Sequence, residues 1–585
     1  MLKAALRLIL GSSLLLLSLQ LQANAQLDSL KNISAAGAPF LALKMLDQAQ
    51  PSADADVYEW ILWEQERYRI LSRWKQWDEL LLRIEGLPKD LPEPFLQQAA
   101  SYRTRAYIEL GQYATARKLL RQQLWRPEAG EAKEYPTWRR QVIETYLEGG
   151  RSEDASIAMR RLQQDFPEAD KDWLLLRARV LLQTGHYDEV IEILSGRLDW
   201  QSLAMKLLAE YRNGKHSAQT LWDLARTRIR NIEDDPVQLA AYWSIAVLAA
   251  DSLGPDKRVE ALEARLGIDA DDGLGIEPAD ADRLWQAYFD YARLIGNRNE
   301  LLIGDDARWL ELAEKQKRNS PFKARSLYAL LLDESGDAQT RRSAAEGFLS
   351  LLDPEQAAQQ RLLDQLFNRS RRYADAGRIP VEIRFRLVDV ALRNADILLA
   401  TRLMSGLDTV PPNTRRFDWL LRRARVLLLG GKLAQGDEVL NQLIDEYDEP
   451  DSKDTDRILQ VLFDLQTLKA DEQAIRHFRQ LMNKSIDARQ RREILFWMAD
   501  SFKALGQYEK AALLYLQSAM FTGPDAMDPW AQTARYNAAE SLQKAGLVDD
   551  ARRIYEALLK VTKEPARRSV LRHNIQQLWL IRNAG

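Results

Sequence analysis

The sequence contains no cysteine in its 585 residues. This absence excludes disulfides, thiolate metal sites, thiol nucleophiles and an N-terminal lipid-modified cysteine. Histidine is also rare, with 4 residues, and no two of them have the spacing of a helical zinc signature such as H-E-x-x-H. We therefore predict no metal site and a fold that is stabilised by packing alone.

A charge excess of either sign is missing as well. The formal net charge is -3, because 82 basic residues nearly balance 85 acidic ones, and the two kinds are interspersed along the chain. Proteins that bind nucleic acid generally need a broad positive field, so we predict no nucleic-acid partner. After the first 25 residues, no apolar run approaches the ~20 residues that a membrane-spanning helix requires.

The motifs of common enzymes are absent too. The sequence has no G-x-S-x-G, and its Gly-Lys pairs lack the following Ser or Thr of a phosphate-binding loop. Aligning Gly273 with the glycine of a calcium loop places Ile268 and Ala270 where carboxylates belong. Paired carboxylates such as Glu64 and Glu66 are expected on a solvated helix face. The sequence thus predicts no catalytic residue, no cofactor and no enzyme activity.

The N-terminus has the three parts of a secretory signal. Lys3 and Arg7 supply positive charge, an apolar stretch runs from residue 8 to 19, and Ala23-Asn24-Ala25 is a small-x-small cleavage site. An uncleaved membrane anchor is the alternative, but the apolar stretch is short and is interrupted by Gly-Ser-Ser. We predict a signal peptide at residues 1–25, cleavage after Ala25, and a periplasmic protein with no remaining membrane span.

The rest of the chain shows helical periodicity and a recurring local pattern. A first helix ends at a tight glycine turn, an aromatic residue follows two positions later, and the second helix turns a small residue inward. Glycine permits the turn conformation, and alanine lets two helix backbones approach closely. The residues that define the repeats are Gly111, Tyr113, Ala116, Gly150, Ala155, Gly185, Tyr187, Gly506, Tyr508, Ala511, Gly546 and Ala551.

This pattern resembles the tetratricopeptide repeat family, over roughly half of the chain. The resemblance implies an all-α superhelical solenoid of antiparallel helix pairs. With the signal peptide, it also implies an exported scaffold or adaptor that binds protein partners of the bacterial cell envelope, in assembly, export or energised transport. Association with the outer membrane through such a partner is compatible with this prediction.

Two stretches are near copies of each other: residues 172–182 and 418–428 differ at one position, which indicates duplication. We predict an N-terminal array at 26–212 and a C-terminal array at 411–585, closed by a capping helix. Between them, at 213–410, we predict degenerate helical repeats with an exposed Gly/Asp-rich linker near 266–282.

Two sets of residues are candidates for partner contacts. Arginines form forked hydrogen bonds to carboxylates, although those on the first helices also pair with neighbouring acids; the candidates are Arg103, Arg177, Arg179, Arg423 and Arg425. The second set is the tryptophans Trp60, Trp63, Trp74 and Trp77. These indoles predict a groove for a protein, or alternatively for a polysaccharide or peptidoglycan strand. By contrast, Trp138, Trp173, Trp419 and Trp497 are expected in the core.

Overall fold

The computed structural model describes residues 27, 30–31, 33–34, 38–126, 134–167, 170–276, 279–447, 451–484, 486–521, 523 and 528–583. The predicted signal peptide and its cleavage site lie outside these residues. Throughout the described ranges the regular structure is helical, without any β-strand. The described residues form two compact units: the first comprises 27–249 and 270–276, and the second comprises 250–269 and 279–583.

Antiparallel helix pairs make up the first unit. Its helices are α1 (Pro39–Ala49), α2 (Val57–Arg73), α3 (Trp77–Glu85), α4 (Glu93–Glu109), α5 (Tyr113–Leu124), α6 (Tyr135–Glu148), α7 (Ser152–Asp165), α8 (Lys171–Gln183), α9 (Tyr187–Ile193), α10 (Trp200–Arg212), α11 (Ala218–Ile229) and α12 (Pro236–Ala250).

The second unit begins with less regular pairs. These helices are α13 (Pro255–Leu266), α14 (Ala281–Ile295), α15 (Arg298–Leu302), α16 (Asp306–Gln316), α17 (Pro321–Glu334), α18 (Ala338–Ser350) and α19 (Ala357–Asp364). A π-helical turn at Gln365–Arg369 and two short 3-10 turns follow.

Regular pairs return in the remainder of the second unit. They are α20 (Val381–Arg393), α21 (Ile397–Met404), α22 (Arg416–Leu429), α23 (Leu433–Glu446), α24 (Ser452–Thr467), α25 (Asp471–Met482), α26 (Ala488–Ala504), α27 (Tyr508–Met520), α28 (Pro529–Lys544), α29 (Val548–Val561) and α30 (Pro565–Asn583). The prediction of an all-α fold built from antiparallel helix pairs is confirmed.

One turn joins the two helices of each regular pair. Its central residue has a positive φ, for example 71° at Gly111, and the next N–H donates to a carbonyl oxygen five residues earlier, as Gln112 does to Tyr107 at 2.8 Å. This is the hydrogen bond of a Schellman motif, which terminates the first helix. The turn residues are Lys75, Gly111, Gly150, Gly185, Gly214, Ala395, Gly431, Lys469, Gly506 and Gly546.

Three of these turns contain no glycine at the central position, so a sequence pattern based on glycine does not predict them. Lys75, Ala395 and Lys469 adopt φ values of 56°, 56° and 61°, so they form the same turn with a side chain present. In the second unit the turns are spaced by roughly 36–40 residues, slightly more than the ~34 of the tetratricopeptide repeat. The pair α2/α3, which contains the clustered tryptophans, is therefore itself a repeat.

Small residues let the paired helices approach each other. Five positions after the turn, Ala116, Ala155, Ala511 and Ala551 are fully buried. At the equivalent position Gly436 packs so closely that an added Cβ would lie 2.7 Å from Cγ of Leu428. The close packing of these pairs depends on the absence of larger side chains at this position.

The predicted Gly/Asp-rich linker is not the exposed segment that we expected. Asp272, Leu274 and Ile276 are buried and alternate with exposed neighbours. The Asp272 carboxylate accepts hydrogen bonds from the Ser244 hydroxyl at 2.7 Å and from the Leu274 N–H at 2.8 Å. Apolar residues at alternate positions, together with a satisfied carboxylate, explain why residues 270–276 pack into the first unit.

Candidate functional site

The first helices of the regular pairs in the first unit are α2, α4, α6, α8 and α10. α2 contacts α4, and α6 contacts α8. Because every pair has the same turn, a fixed distance from the turn identifies equivalent positions. The residues six positions before the turns are Arg69, Arg105, Glu144, Arg179 and Leu208. We call the face that these first helices provide the first-helix surface.

A groove of about 660 Å³ opens on this surface. Its lining is aromatic and amide-rich, and it consists of Tyr58, Ile61, Gln65, Pro92, Pro94, Phe95, Gln97, Gln98, Ser101, Tyr102, Glu134 and Trp138. We call it the first-helix groove. Among these described residues the only charged side chain is Glu134. The Tyr58 side chain at its edge is 74% exposed, so the groove offers an aromatic ring to a partner without any rearrangement.

Buried aromatic rings support the groove. Phe95 stacks on Tyr68 with ring centroids 5.9 Å apart, and Tyr68 contacts Tyr102 at 5.4 Å. Gln65 donates a hydrogen bond to the Gln98 side chain at 2.7 Å, which connects α2 to α4 across the groove. These contacts hold the lining residues in place, so a ligand would meet a preorganised surface.

The four N-terminal tryptophans do not form one surface. Trp60 and Trp63 are buried in the core of the first unit, where Trp60 contacts Phe95 edge-on at 5.8 Å beneath the groove. Trp74 is 40% exposed and Trp77 is half-buried, but neither lines the groove. Trp60 therefore packs against a residue that lines the groove, and neither Trp60 nor Trp63 is available to a partner.

A buried ionic cluster ties α1, α2 and α3 together. The Glu64 carboxylate, which we expected on a solvated face, is fully buried. It accepts hydrogen bonds from Arg83 at 2.7 and 2.8 Å and from Gln50 at 3.0 Å, and Arg67 also contacts it at 3.3 Å. Burial, together with the nearby Glu64 charge, raises the pKa of the Tyr68 hydroxyl far above its ordinary value. The cluster is structural, because both Glu64 oxygens are occupied.

The candidate arginines are distributed among separate contacts. Arg423 is buried and pairs with Asp408 at 2.6 Å, and Arg425 pairs with Asp464 at 2.7 Å. Arg103 is 3.8 Å from Glu85, Arg179 pairs with Glu148, and Arg177 is half-buried. Except for Arg177, they pair with neighbouring acids, which is the alternative that the sequence left open, and the structure does not bring them into one site.

Arg179 does belong to a charged part of the first-helix surface. Its neighbours there include Glu144, Arg105 and Arg140. Burial raises the pKa of the Glu144 carboxyl above its ordinary value, while these three arginines lower it. The first-helix surface thus changes from a groove with one charged side chain, Glu134, to a segment rich in charge along the first unit.

The other predicted core tryptophans differ in their environment. Trp138, Trp173 and Trp419 are buried, whereas Trp497 is half-buried. Trp497 packs against Phe463 with centroids 4.8 Å apart and against Phe496 at 5.2 Å. This aromatic row follows the first helices α24 and α26 of the second unit.

The described residues contain no group of three or more His, Asp or Glu side chains that is arranged to hold a metal ion. Within the same ranges, no helix is long and apolar enough to cross a membrane.

No protein-family model matches this sequence, and no curated protein matches it. Among solved structures, yeast Tom70 is similar at 12% identity and a TM-score of 0.23, covering 83% of this chain and 96% of that one. PPR10 from maize is similar at 16% identity and a TM-score of 0.31, covering 96% and 88%. A chain of the APC/C Cut9–Hcn1 hetero-tetramer is similar at 12% and 0.22, covering 87% and 95%. Values this low carry no inference about function.

The class of this protein follows from its own geometry. Consecutive antiparallel helix pairs, joined by one recurrent turn and packed through small residues, define a tetratricopeptide-like helical-repeat protein.

Proposed function

We propose that this chain is a non-enzymatic scaffold of the bacterial cell envelope that binds a protein partner in its first-helix groove. The observation that carries the proposal is the groove itself, whose exposed Tyr58 and amide side chains line a preformed surface. Tyrosine buries a large area at a low cost in conformational entropy, and glutamine side chains both donate to and accept from a peptide backbone. Repeat arrays of this kind present extended surfaces suited to binding a polypeptide.

The proposed location is the periplasm. It is supported by the basic start, the apolar stretch and the Ala23-Asn24-Ala25 site in the sequence. N-terminal sequencing of the protein recovered from a periplasmic extract should give Gln26 as the first residue. A protein that retains Met1, or that stays in the cytoplasm, would contradict this location.

Glycan binding is the alternative function. The exposed Tyr58 ring beside amide side chains also suits a sugar. However, the burial of Trp60 and Trp63 removes two of the four indoles on which that hypothesis depended. The protein-binding proposal has the broader support, because the supporting core fixes an aromatic and amide lining that spans three first helices, α2, α4 and α6.

Site-specific crosslinking tests the proposal. A photoreactive amino acid at Ser101 should crosslink the full-length protein to a specific envelope protein in cells. The double variant Tyr58→Ala/Gln98→Ala should weaken capture of that protein by about tenfold or more, because it removes an aromatic anchor and a hydrogen-bonding group. Trp125→Ala is the matched control, since Trp125 is 79% exposed but lies outside the groove lining.

Two outcomes would contradict the proposal. Unchanged capture by the Tyr58→Ala/Gln98→Ala variant would show that the groove is not the binding surface. Sedimentation of the purified protein with peptidoglycan sacculi, lost in the same variant, would establish the glycan function in its place.

A further inference from the structure

The second unit contains an open cleft of about 510 Å³ that our sequence reasoning did not identify. It lies on the first helices α20 and α22, beside the segment that joins α18 to α19. The lining residues are Pro354, Glu355, Arg386, Asp389, Leu392, Arg393 and Arg422. Because three arginines line it, we call it the arginine cleft.

Two of these arginines already hold a carboxylate. Arg393 pairs with Glu355 at 3.2 Å, and Arg422 pairs with Asp389 at 2.5 Å. Both acids are well exposed, at 82% for the Glu355 side chain and 52% for that of Asp389. Exposed ion pairs contribute little net stability, so carboxylates from another molecule can replace them at low cost.

Arg386 provides the charge surplus. It is half-buried on α20, and no Asp or Glu oxygen of the described residues lies within 4.0 Å of its guanidinium nitrogens. The cleft therefore holds three guanidinium groups and two carboxylates. A guanidinium group binds a carboxylate through two parallel N–H donors, which gives the cleft a preference for this group.

The spacing on α20 limits the length of the ligand. Arg386 and Arg393 are two helical turns apart, which corresponds to about 10 Å along the helix. An extended polypeptide rises about 3.3 Å per residue and places alternate side chains on one face, so acidic side chains two or four residues apart, separated by about 7 or 13 Å, bracket this distance. Nucleic acid fits less well, because the net charge of -3 provides no broad positive field.

We propose that the arginine cleft binds an acidic segment of a protein partner, whose carboxylates replace Glu355 and Asp389 and also neutralise Arg386. The inference rests on the proposed function as a protein-binding scaffold and assigns to it one class of ligand. It concerns the second unit, whereas the first-helix groove belongs to the first.

Binding of a fluorescent hexaglutamate peptide to the purified mature protein tests this inference, with hexaglutamine as the negative peptide. At low ionic strength we expect hexaglutamate to bind and hexaglutamine not to bind. The double variant Arg386→Gln/Arg422→Gln should weaken binding by about tenfold or more, since it removes two charge-assisted contacts. Arg553→Gln/Arg567→Gln is the matched control, because both arginines are exposed, at 75% and 57%, and pair with acids, Asp550 and Glu564.

A second variant separates displacement from simple charge attraction. Glu355→Gln removes a competing carboxylate from Arg393 and should tighten hexaglutamate binding by about two- to fivefold. Glu556→Gln changes the net charge equally, on α29, where Glu556 is 3.5 Å from Arg552. It should leave the affinity unchanged.

Three results would overturn the inference. The first is parent-like binding by Arg386→Gln/Arg422→Gln, and the second is an equal loss in Arg553→Gln/Arg567→Gln. The third is tighter binding of a single-stranded RNA oligonucleotide, abolished in the cleft variant. Circular dichroism melts establish that each variant is folded. Crosslinking at Ser101 tests the proposed function separately, so either idea can fail while the other stands.

Discussion

At the scale of single residues, the turn between paired helices shows how one backbone conformation is reached with different side chains. A residue with a Cβ pays roughly 1–2 kcal/mol in the left-handed region, and glycine does not. Lys75, Ala395 and Lys469 occupy this region nonetheless, because the packing of both helices determines the turn. Local preference is thus overruled by tertiary contacts at these turns.

The turns at Gly506 and Lys469 should respond to substitution in opposite directions. Gly506 has a φ of 72°, and an added Cβ meets nothing within 4 Å, so Gly506→Ala should lower the free energy of unfolding by about 1–2 kcal/mol through backbone strain alone. Lys469→Gly should raise it by about 0.5–1 kcal/mol. Urea unfolding measures both changes.

Gly336→Ala is the control for these turn variants, since Gly336 also has open space but no positive φ. Equal effects of Gly506→Ala and Gly336→Ala would show that the left-handed backbone is not the cause.

Asp500 gives a pH-dependent prediction. Burial raises the pKa of its carboxyl, while the Tyr515 hydroxyl and Lys503 lower it, and the net shift is upward. The folded state therefore disfavours the charged form. The free energy of unfolding therefore falls as the pH rises from the pKa of this carboxyl in the unfolded chain, about 3.9, through its higher pKa in the folded protein.

Asp500→Asn should consequently be more stable than the parent at pH 7. It retains an oxygen that accepts from the Tyr515 hydroxyl, and its advantage should shrink as the pH falls toward the unfolded pKa. Urea unfolding at pH 4 and pH 7 compares the two proteins. An advantage that is equal at both pH values would show that the charge of Asp500 is not responsible.

At the scale of helices, most pairs have a small residue five positions after the turn; the exceptions are Leu80, Val190 and Gln219. Alanine suffices in most pairs, but α22 and α23 approach more closely and use Gly436. The approach of the helix backbones thus varies from pair to pair, and one side chain per pair sets it.

Gly436→Ala should therefore destabilise the second unit, although alanine occupies the equivalent position in its neighbours. The new Cβ would meet Leu428 at 2.7 Å, and relieving the clash should cost about 1–3 kcal/mol. Ala511→Gly should also destabilise, by roughly 1 kcal/mol, because it removes a side chain from a helix interior. A stabilising Gly436→Ala, seen in thermal or urea unfolding, would show that the pair can relax.

The sequence predicted the helix pairs where a glycine turn, an aromatic residue and a small residue coincide, as at Gly111 and Gly506. It did not identify the turns at Lys75, Ala395 and Lys469, because their residue types are ordinary and only packing imposes the conformation. It also placed Glu64 on a solvated face, since periodicity cannot show that Gln50, directly after α1, and Arg83, on α3, donate to that carboxylate. Contacts between distant residues decide such cases.

At the scale of the whole molecule, the two surfaces on which the proposals depend lie in separate compact units. The first-helix groove is aromatic and nearly uncharged, whereas the arginine cleft is open and rich in charge. Repeat arrays derive their stability mainly from neighbouring units, so substitutions at one surface should leave the other intact. Comparing partner capture by the groove variant with capture by the cleft variant therefore measures the contribution of each surface.

The Glu64 cluster has a practical consequence for shortened forms of the protein. Asp47 and Gln50 precede α2, yet they donate to or accept from Arg67 and Glu64 inside it. A recombinant fragment that starts at Val57 would keep both helices of the pair α2/α3. It would leave the buried Glu64 carboxylate and the buried Arg67 guanidinium with fewer partners. Purification tags and protease sites should therefore be placed before Pro39, so that cleavage of the tag leaves Asp47, Gln50 and the Glu64 cluster intact.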